Sequence, residues 1–163
     1  MAKAITPVNV PNNTRNFYPV NRGEWEIRTF PIAASIVIAD GTAVATQVVT
    51  SNPTGNLIPM PTSNVTGQNF QGILVEAIAT TDSDFAVAGK MKGVWVPRTR
   101  SCEAFFTVGT GTFGSNDVGR VALFHTDSKS INVDGNGLGA RITSFVTTTR
   151  GTCAFDVAPA VTA

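Results

Sequence analysis

Few side chains in this sequence are able to do chemistry, and their spacing argues against most of it. The one histidine, His125, is followed closely by Asp127 and Ser128. A hydrolytic relay needs nucleophile, base and orienting acid to converge. Neighbours on one turn need not converge, so a strand-end histidine with no special role is expected. His125, Cys102 and Cys153 are too widely spaced for a zinc pattern. Asp82-Ser83-Asp84 resembles the start of a calcium loop, but the later ligands and the closing Glu are missing. Gly109 to Gly114 matches GxGxxG, which binds phosphate only where a helix starts right after the glycines. Ser115-Asn116-Asp117-Val118-Gly119 follows instead, which is more turn. A glycosidase needs two facing carboxylates, and Glu24, Glu26, Glu76 and Glu103 show no paired signature. Trp25, Trp95 and Tyr18 could stack on sugars, so a carbohydrate-binding sandwich is a lesser alternative. The expectation is a non-enzyme with no catalytic residue, no metal and no cofactor.

Two segments suggest contacts instead. In Lys90–Arg100 the even positions carry Lys90, Lys92, Arg98 and Arg100 without an intervening acid. Alternate residues of a strand share a face, so Met91 and Trp95 are expected in the core and the cations outside. That face is either a solvated one whose charges discourage edge pairing or a basic stripe for an acidic partner. The aromatic interleaving of a nucleic-acid stacking platform is absent, so nucleic acid is not the favoured partner. The second segment is residues 1–23. Pro7, Pro11 and Pro19 exclude a helix, and Lys3, Arg15 and Arg22 precede any acid. It reads as an extended arm able to reach roughly 75 Å. Phe17 and Tyr18 need a surface to lie on, either on the arm's own domain or on a neighbouring chain. The candidate partner-binding residues are therefore Arg15, Phe17, Tyr18, Arg22, Lys90, Lys92, Arg98 and Arg100.

Composition sets the background. Of 163 residues 42% are hydrophobic, enough for a core, while only 14% are charged and the net charge is +1. Electrostatics alone select no partner. A polar, uncharged surface suits either a Thr-rich β protein or one covered by neighbouring subunits. No run reaches transmembrane length, and MAKAITPVNVPNN lacks the apolar centre of a signal peptide. Folding in a cytoplasm is expected, so the sequons at 12–14 and 64–66 are chance matches. Cys102 and Cys153 are then expected as buried free thiols, with a disulfide the less favoured option.

The elements that must hold these residues read as strands. From Glu26 onward Gly, Asn, Asp and Thr punctuate the chain at short intervals, and nothing between them reads as a helix. Strands are expected at Ile27–Phe30, Ile32–Ile38, Thr42–Val49, Gly72–Ala79, Phe85–Ala88, Val94–Val96, Ala104–Val108, Arg120–His125, Ser130–Val133, Ala140–Val146 and Thr152–Val157. Asp40-Gly41 is read as the tight turn of a hairpin between the second and third of these. Residues 51–69 are read as a long loop, and Gly135–Gly139 as a hairpin connection. The fold class is all-β, a small barrel or sandwich of short antiparallel strands with an extended N-terminal arm. The arm is residues 1–23 and residues 24–163 form a single domain.

The body resembles bacteriophage capsid decoration, or cement, proteins. Four stretches carry the likeness: Ala39-Asp40-Gly41-Thr42-Ala43-Val44, Gln71-Gly72-Ile73-Leu74-Val75-Glu76-Ala77, Ala86 through Pro97, and Gly119-Arg120-Val121-Ala122-Leu123 with Ala140 through Val146. The likeness covers roughly residues 30–157. The long loop and the arm depart from the shortest members. The resemblance implies a barrel or tulip-like domain, a homotrimer, and the major capsid protein as partner. It implies a place on the virion exterior after synthesis in a host cytoplasm, with no membrane involved. Another phage structural module, a tail-tube or minor coat protein, is the alternative.

Overall fold

The computed structural model describes residues 16–62, 69–136 and 139–155. They form an all-β fold: β1 (Tyr18–Pro19), β2 (Trp25–Ile32), β3 (Ala43–Val49), β4 (Asn52–Pro59), β5 (Phe70–Leu74), β6 (Lys90–Pro97), β7 (Glu103–Thr110), β8 (Val121–Phe124), β9 (Ile131–Asn136), β10 (Gly139–Thr147) and β11 (Arg150–Ala154). Two short 3-10 turns, Arg22–Glu24 and Ser115–Asp117, are the only helical elements among the described residues.

The strands close into two rings. The first is a closed barrel in the order β2-β4-β3-β5-β6. The second runs β7-β11-β10-β8-β9, and β9 returns to β7 in parallel, with Val108 opposite Ile131 and Thr110 opposite Asn132. β1 adds to β7 from outside.

The rings share one wiring. Numbered within its own ring, each has the order 1-3-2-4-5, with strands 1 and 3 parallel and every other pair antiparallel. Registers match as well. Ile32 faces Leu57 where Val108 faces Ile131. Ile73 faces Trp95 where Arg141 faces Ala154. Each ring's second strand is entered through a glycine of positive φ, Gly41 at 69° and Gly119 at 93°. Gly41 N–H donates to Leu74 O and Gly119 N–H to Ile142 O, both at 2.8 Å. Leu74 and Ile142 donate back to Thr42 O and Arg120 O, both at 2.9 Å. The chain is a structural duplication of one five-stranded unit. Loops conceal it in the sequence: residues 75–89 join β5 to β6, whereas 148–149 join the matching β10 and β11.

Side-chain alternation divides the core. Ile32, Val44, Leu57, Leu74 and Val94 fill the first barrel. Their neighbours Ala43 and Ile73 point the other way, into a cluster continuous with the second ring's Phe106, Phe124, Ile131 and Ile142. β3 and β5 are therefore covered on both faces, which is why Ile73-Leu74 is an unbroken apolar pair.

Several local expectations are corrected. Ile32–Ile38 is not a strand: β2 ends at Ile32, and Ile38 makes an isolated bridge to Ile78. Asp40-Gly41 therefore closes no hairpin, and β2 lies between β4 and β6. The supposed loop at 51–69 contains β4, whose two prolines and glycine hid it. Pro53 lies beside a register shift between Thr46 and Val48, and Pro59 falls on a non-bonded pair, since Met60 N–H donates to Ala43 O. Phe85–Ala88 is turn, and the run from Gly72 leaves the sheet after Leu74. β9 and β10 are not hairpin partners, since β8 lies between them.

The matched glycines give a test of the duplication. A Cβ at Gly119 would meet nothing within 4 Å, so Gly119→Ala should cost about 1 kcal/mol for the positive φ alone. At Gly41 a Cβ would lie 2.4 Å from Asn16 Cβ and 2.8 Å from Phe17 O. Gly41→Ala should therefore cost about 2 kcal/mol more than its counterpart, read as the difference in urea midpoints.

Candidate partner interface

The chain from Asn16 is built into the body. Asn16 Nδ2 donates to Asp40 O at 2.5 Å, and Phe17 N–H to Gly41 O at 3.0 Å. Tyr18 and Pro19 then face Phe105 and Ala104, and Val20 N–H donates to Glu103 O at 2.9 Å. That last bond makes Pro19–Ala104 a non-bonded pair, so the missing proline N–H leaves no gap in the ladder. Phe17 is 1% exposed and sits edge-on to Phe124 at 5.7 Å and Phe155 at 5.5 Å. Its expected role on a partner surface is thus corrected, because its ring is consumed by the chain's own core. Residues 16–23, read as part of the arm, thus belong to the body. Arg15 lies outside the described residues.

Tyr18 remains partly open, with the Arg22 guanidinium 4.9 Å above its ring. Both line a cleft of about 210 Å³ at the junction of the two rings, together with Asp40, Trp95 and Arg150. Arg150 lies 5.6 Å over the Phe105 ring. Two guanidiniums over aromatic faces beside a partly apolar floor suit a carboxylate or a carbonyl-rich segment. Arg150 and Asp40 were not singled out from the sequence. No spacing signal links them to the arm, because chain pairing alone brings them there.

The basic strand is turned over relative to expectation. Val94 points into the barrel, and so does every even position of β6. Lys90 is 5% exposed. Its ammonium donates to Phe85 O at 2.8 Å and Ala33 O at 3.3 Å and lies 5.4 Å from the Phe85 ring. Met91, expected inside, is 57% exposed, and Trp95 packs against the shared core. The expectation failed because β6 has apolar surroundings on both faces, so Trp95 did not mark the barrel interior. Lys92 pairs with Asp84 at 3.5 Å. Arg98 and Arg100 are exposed beyond the strand and border a separate groove of about 320 Å³ with Gln71 and Phe155. Of the eight candidates, the structure joins Tyr18 with Arg22, and Arg98 with Arg100. It takes Phe17 and Lys90 into the interior and gives Lys92 a partner of its own.

The reactive groups are engaged locally. His125 Nδ1 is 3.3 Å from Asp127 Oδ1 but is not aligned for a hydrogen bond. The Ser128 hydroxyl donates to Met60 O at 2.5 Å, away from any relay. Asp127 Oδ1 accepts the N–H groups of Lys129 at 2.8 Å and Ser130 at 3.1 Å. Gly114 N–H is occupied by Asp117 Oδ2 at 2.9 Å, and the glycine run leads into a three-residue 3-10 turn. Asp82 accepts from Ala79 N–H as an ordinary turn cap. Cys102 and Cys153 are buried free thiols, and burial beside Glu103 pushes the Cys153 thiol well up. Trp25 is 2% exposed and offers no face to a sugar. No group of three or more metal-ligating side chains occurs among the described residues. No family model, no curated protein and no solved structure matches the chain.

Two predictions follow from this packing. Phe17→Ala should lower stability by about 3–5 kcal/mol in chemical denaturation. The second concerns acid. Burial of Asp127 opposes ionisation, but the Lys129 amide, the Ser130 hydroxyl and His125 outweigh it, and its carboxyl is held below the ordinary 3.8. The Gly114 amide and then Arg120 lower Asp117 from the same value. Depressed carboxyls contribute stability that is complete above about pH 5 and is lost as pH falls through their folded values. The urea midpoint should be flat from neutral pH to about pH 5 and fall below about pH 4, less steeply in the Asp117→Asn/Asp127→Asn variant.

Proposed function

We propose that this chain is a virion structural protein that binds the outer surface of an assembled phage capsid. It bridges neighbouring copies of the major capsid protein, as a homotrimer, and carries no enzymatic activity. The observation that carries this reading is a set of large exposed apolar side chains on a charge-poor body. Ile27, Val37, Val49, Val87, Met91, Val118, Phe145 and Val146 are each between 38% and 61% exposed, and charged residues are 14% of the chain. Surfaces of that kind suit a molecule held in a permanent assembly. The resemblance of residues 30–157 to decoration proteins supports the same class. So does the engagement of Ser128, Asp127 and both cysteines in local packing. The cleft of Tyr18, Arg22 and Arg150 supplies a polar anchor for an acidic segment of a shell subunit.

Truncation tests the reading once its boundary respects the fold. The full chain should co-sediment with expanded phage shells and not with unexpanded ones. The chain lacking residues 1–15 should stay folded and bind at least about tenfold more weakly, through loss of one of several linked contacts. Unchanged binding would remove the arm from the interface. Spontaneous growth into hexameric rings or tubes, with no shell binding, would assign the chain to a tail tube instead.

A further inference from the structure

The second ring has a strand that the first ring lacks. On one edge of β7, β9 pairs at Val108 and Thr110, and β1 pairs at Ala104 and Phe105. The matching strand, β2, is met on that edge by β4 at Ile32 alone. The equivalence holds residue by residue. Ile27 lies opposite Trp95 and Glu103 opposite Ala154, and those two partners are themselves matched. Arg28 and Thr29 therefore stand where Ala104 and Phe105 receive β1. Trp25 N–H donates to Arg22 O, and beyond it, among the described residues, nothing bonds the backbone of residues 26–31 on that side. An open strand edge is a template for another extended segment. Ile27 and Met91 on the outer face beside it are 54% and 57% exposed. Glu26 and Arg28 pair with each other, so the edge offers no net charge.

The sequence repeats a tripeptide of the segment that fills the other edge. β1 and its continuation read Tyr18-Pro19-Val20-Asn21, and Thr6-Pro7-Val8-Asn9 repeats the Pro-Val-Asn of it twelve residues earlier. Residues 4–14 are uncharged, so they can lie on this edge without burying an unpaired charge. We propose that Thr6–Val8 of one copy adds as an antiparallel strand to β2 of a second copy. Thr6 faces Thr29 and Pro7 faces Arg28, and Val8 N–H donates to Ile27 O, as Val20 does to Glu103. Pro7 again falls on a non-bonded pair, where no donor is needed. A second copy, with a body behind its strand, also covers Ile27 and Met91, which a strand alone does not. Each copy gives one strand and receives one, an exchange that closes a symmetric oligomer. The inference stands whether or not the chain binds a capsid.

Paired cysteines test it. Facing residues of a bonded antiparallel pair have Cα atoms about 5.5 Å apart, within disulfide reach. Thr6→Cys and Thr29→Cys chains, mixed and oxidised, should give a covalent species of twice the 17.1 kDa chain mass. Either variant oxidised alone should give much less. The unmodified full chain should sediment as a multiple of 17.1 kDa, and the chain lacking residues 1–15 as a monomer. Three results would overturn the proposal: no disulfide in the mixture, a disulfide formed only within one chain of the double variant, or the same oligomeric state with and without residues 1–15.

Discussion

Everything in this molecule depends on the first barrel's outer wall also being part of the second ring's core. Ala43 and Ile73 leave the first barrel and enter the cluster that holds Phe106, Phe124 and Ile142. Aromatic rings reinforce this shared wall. Phe155 stacks on Phe70 at 4.1 Å and meets Trp25 edge-on at 6.2 Å, linking strands of both rings. A ring of five short strands encloses little apolar volume. Joining two of them along a buried wall raises the fraction of surface removed from water, which is what makes so small a domain stable.

That shared wall also decides what the N-terminal segment does. Phe17 completes the aromatic cluster, and β1 closes the lower half of the β7 edge. From Asn16 onward the segment is thus a structural part of the second ring. The cleft beside it, with Tyr18, Arg22 and Arg150, exists because the strand, the entry to β3 and β11 meet there. Its cations are exposed enough to act and are held in place by aromatic faces, an arrangement that fixes direction at small entropic cost.

Duplication explains the asymmetry of the surface. Two units with the same wiring would present the same edges, but one edge is filled and its counterpart is open. The loops diverge in the same way: β5–β6 is joined by a long excursion that returns through the Ile38–Ile78 bridge, and β10–β11 by a tight turn. Lys90 belongs to this difference. At its position the barrel mouth is closed by the carbonyls of Ala33 and Phe85, which a buried ammonium satisfies.

The sequence by itself determined the class of fold and most strand positions in the second half. There β7, β8, β10 and β11 follow β-branched and aromatic runs bounded by glycine, because local propensity and burial agree. It also determined that Cys102 and Cys153 would be buried, since both lie in apolar runs. Alternation within β6 was legible, but its direction was not. With core on both faces, a tryptophan does not say which side is the barrel interior, and Lys90 and Met91 exchanged places. β4 was hidden by Pro53, Gly55 and Pro59, whose local preference against a strand is overridden by pairing with β3. The duplication, the filled edge and the cleft of Arg22 and Arg150 arise from contacts between residues far apart in the chain. Only the tertiary structure decided them, because register and ring closure are set by long-range pairing that no local spacing encodes.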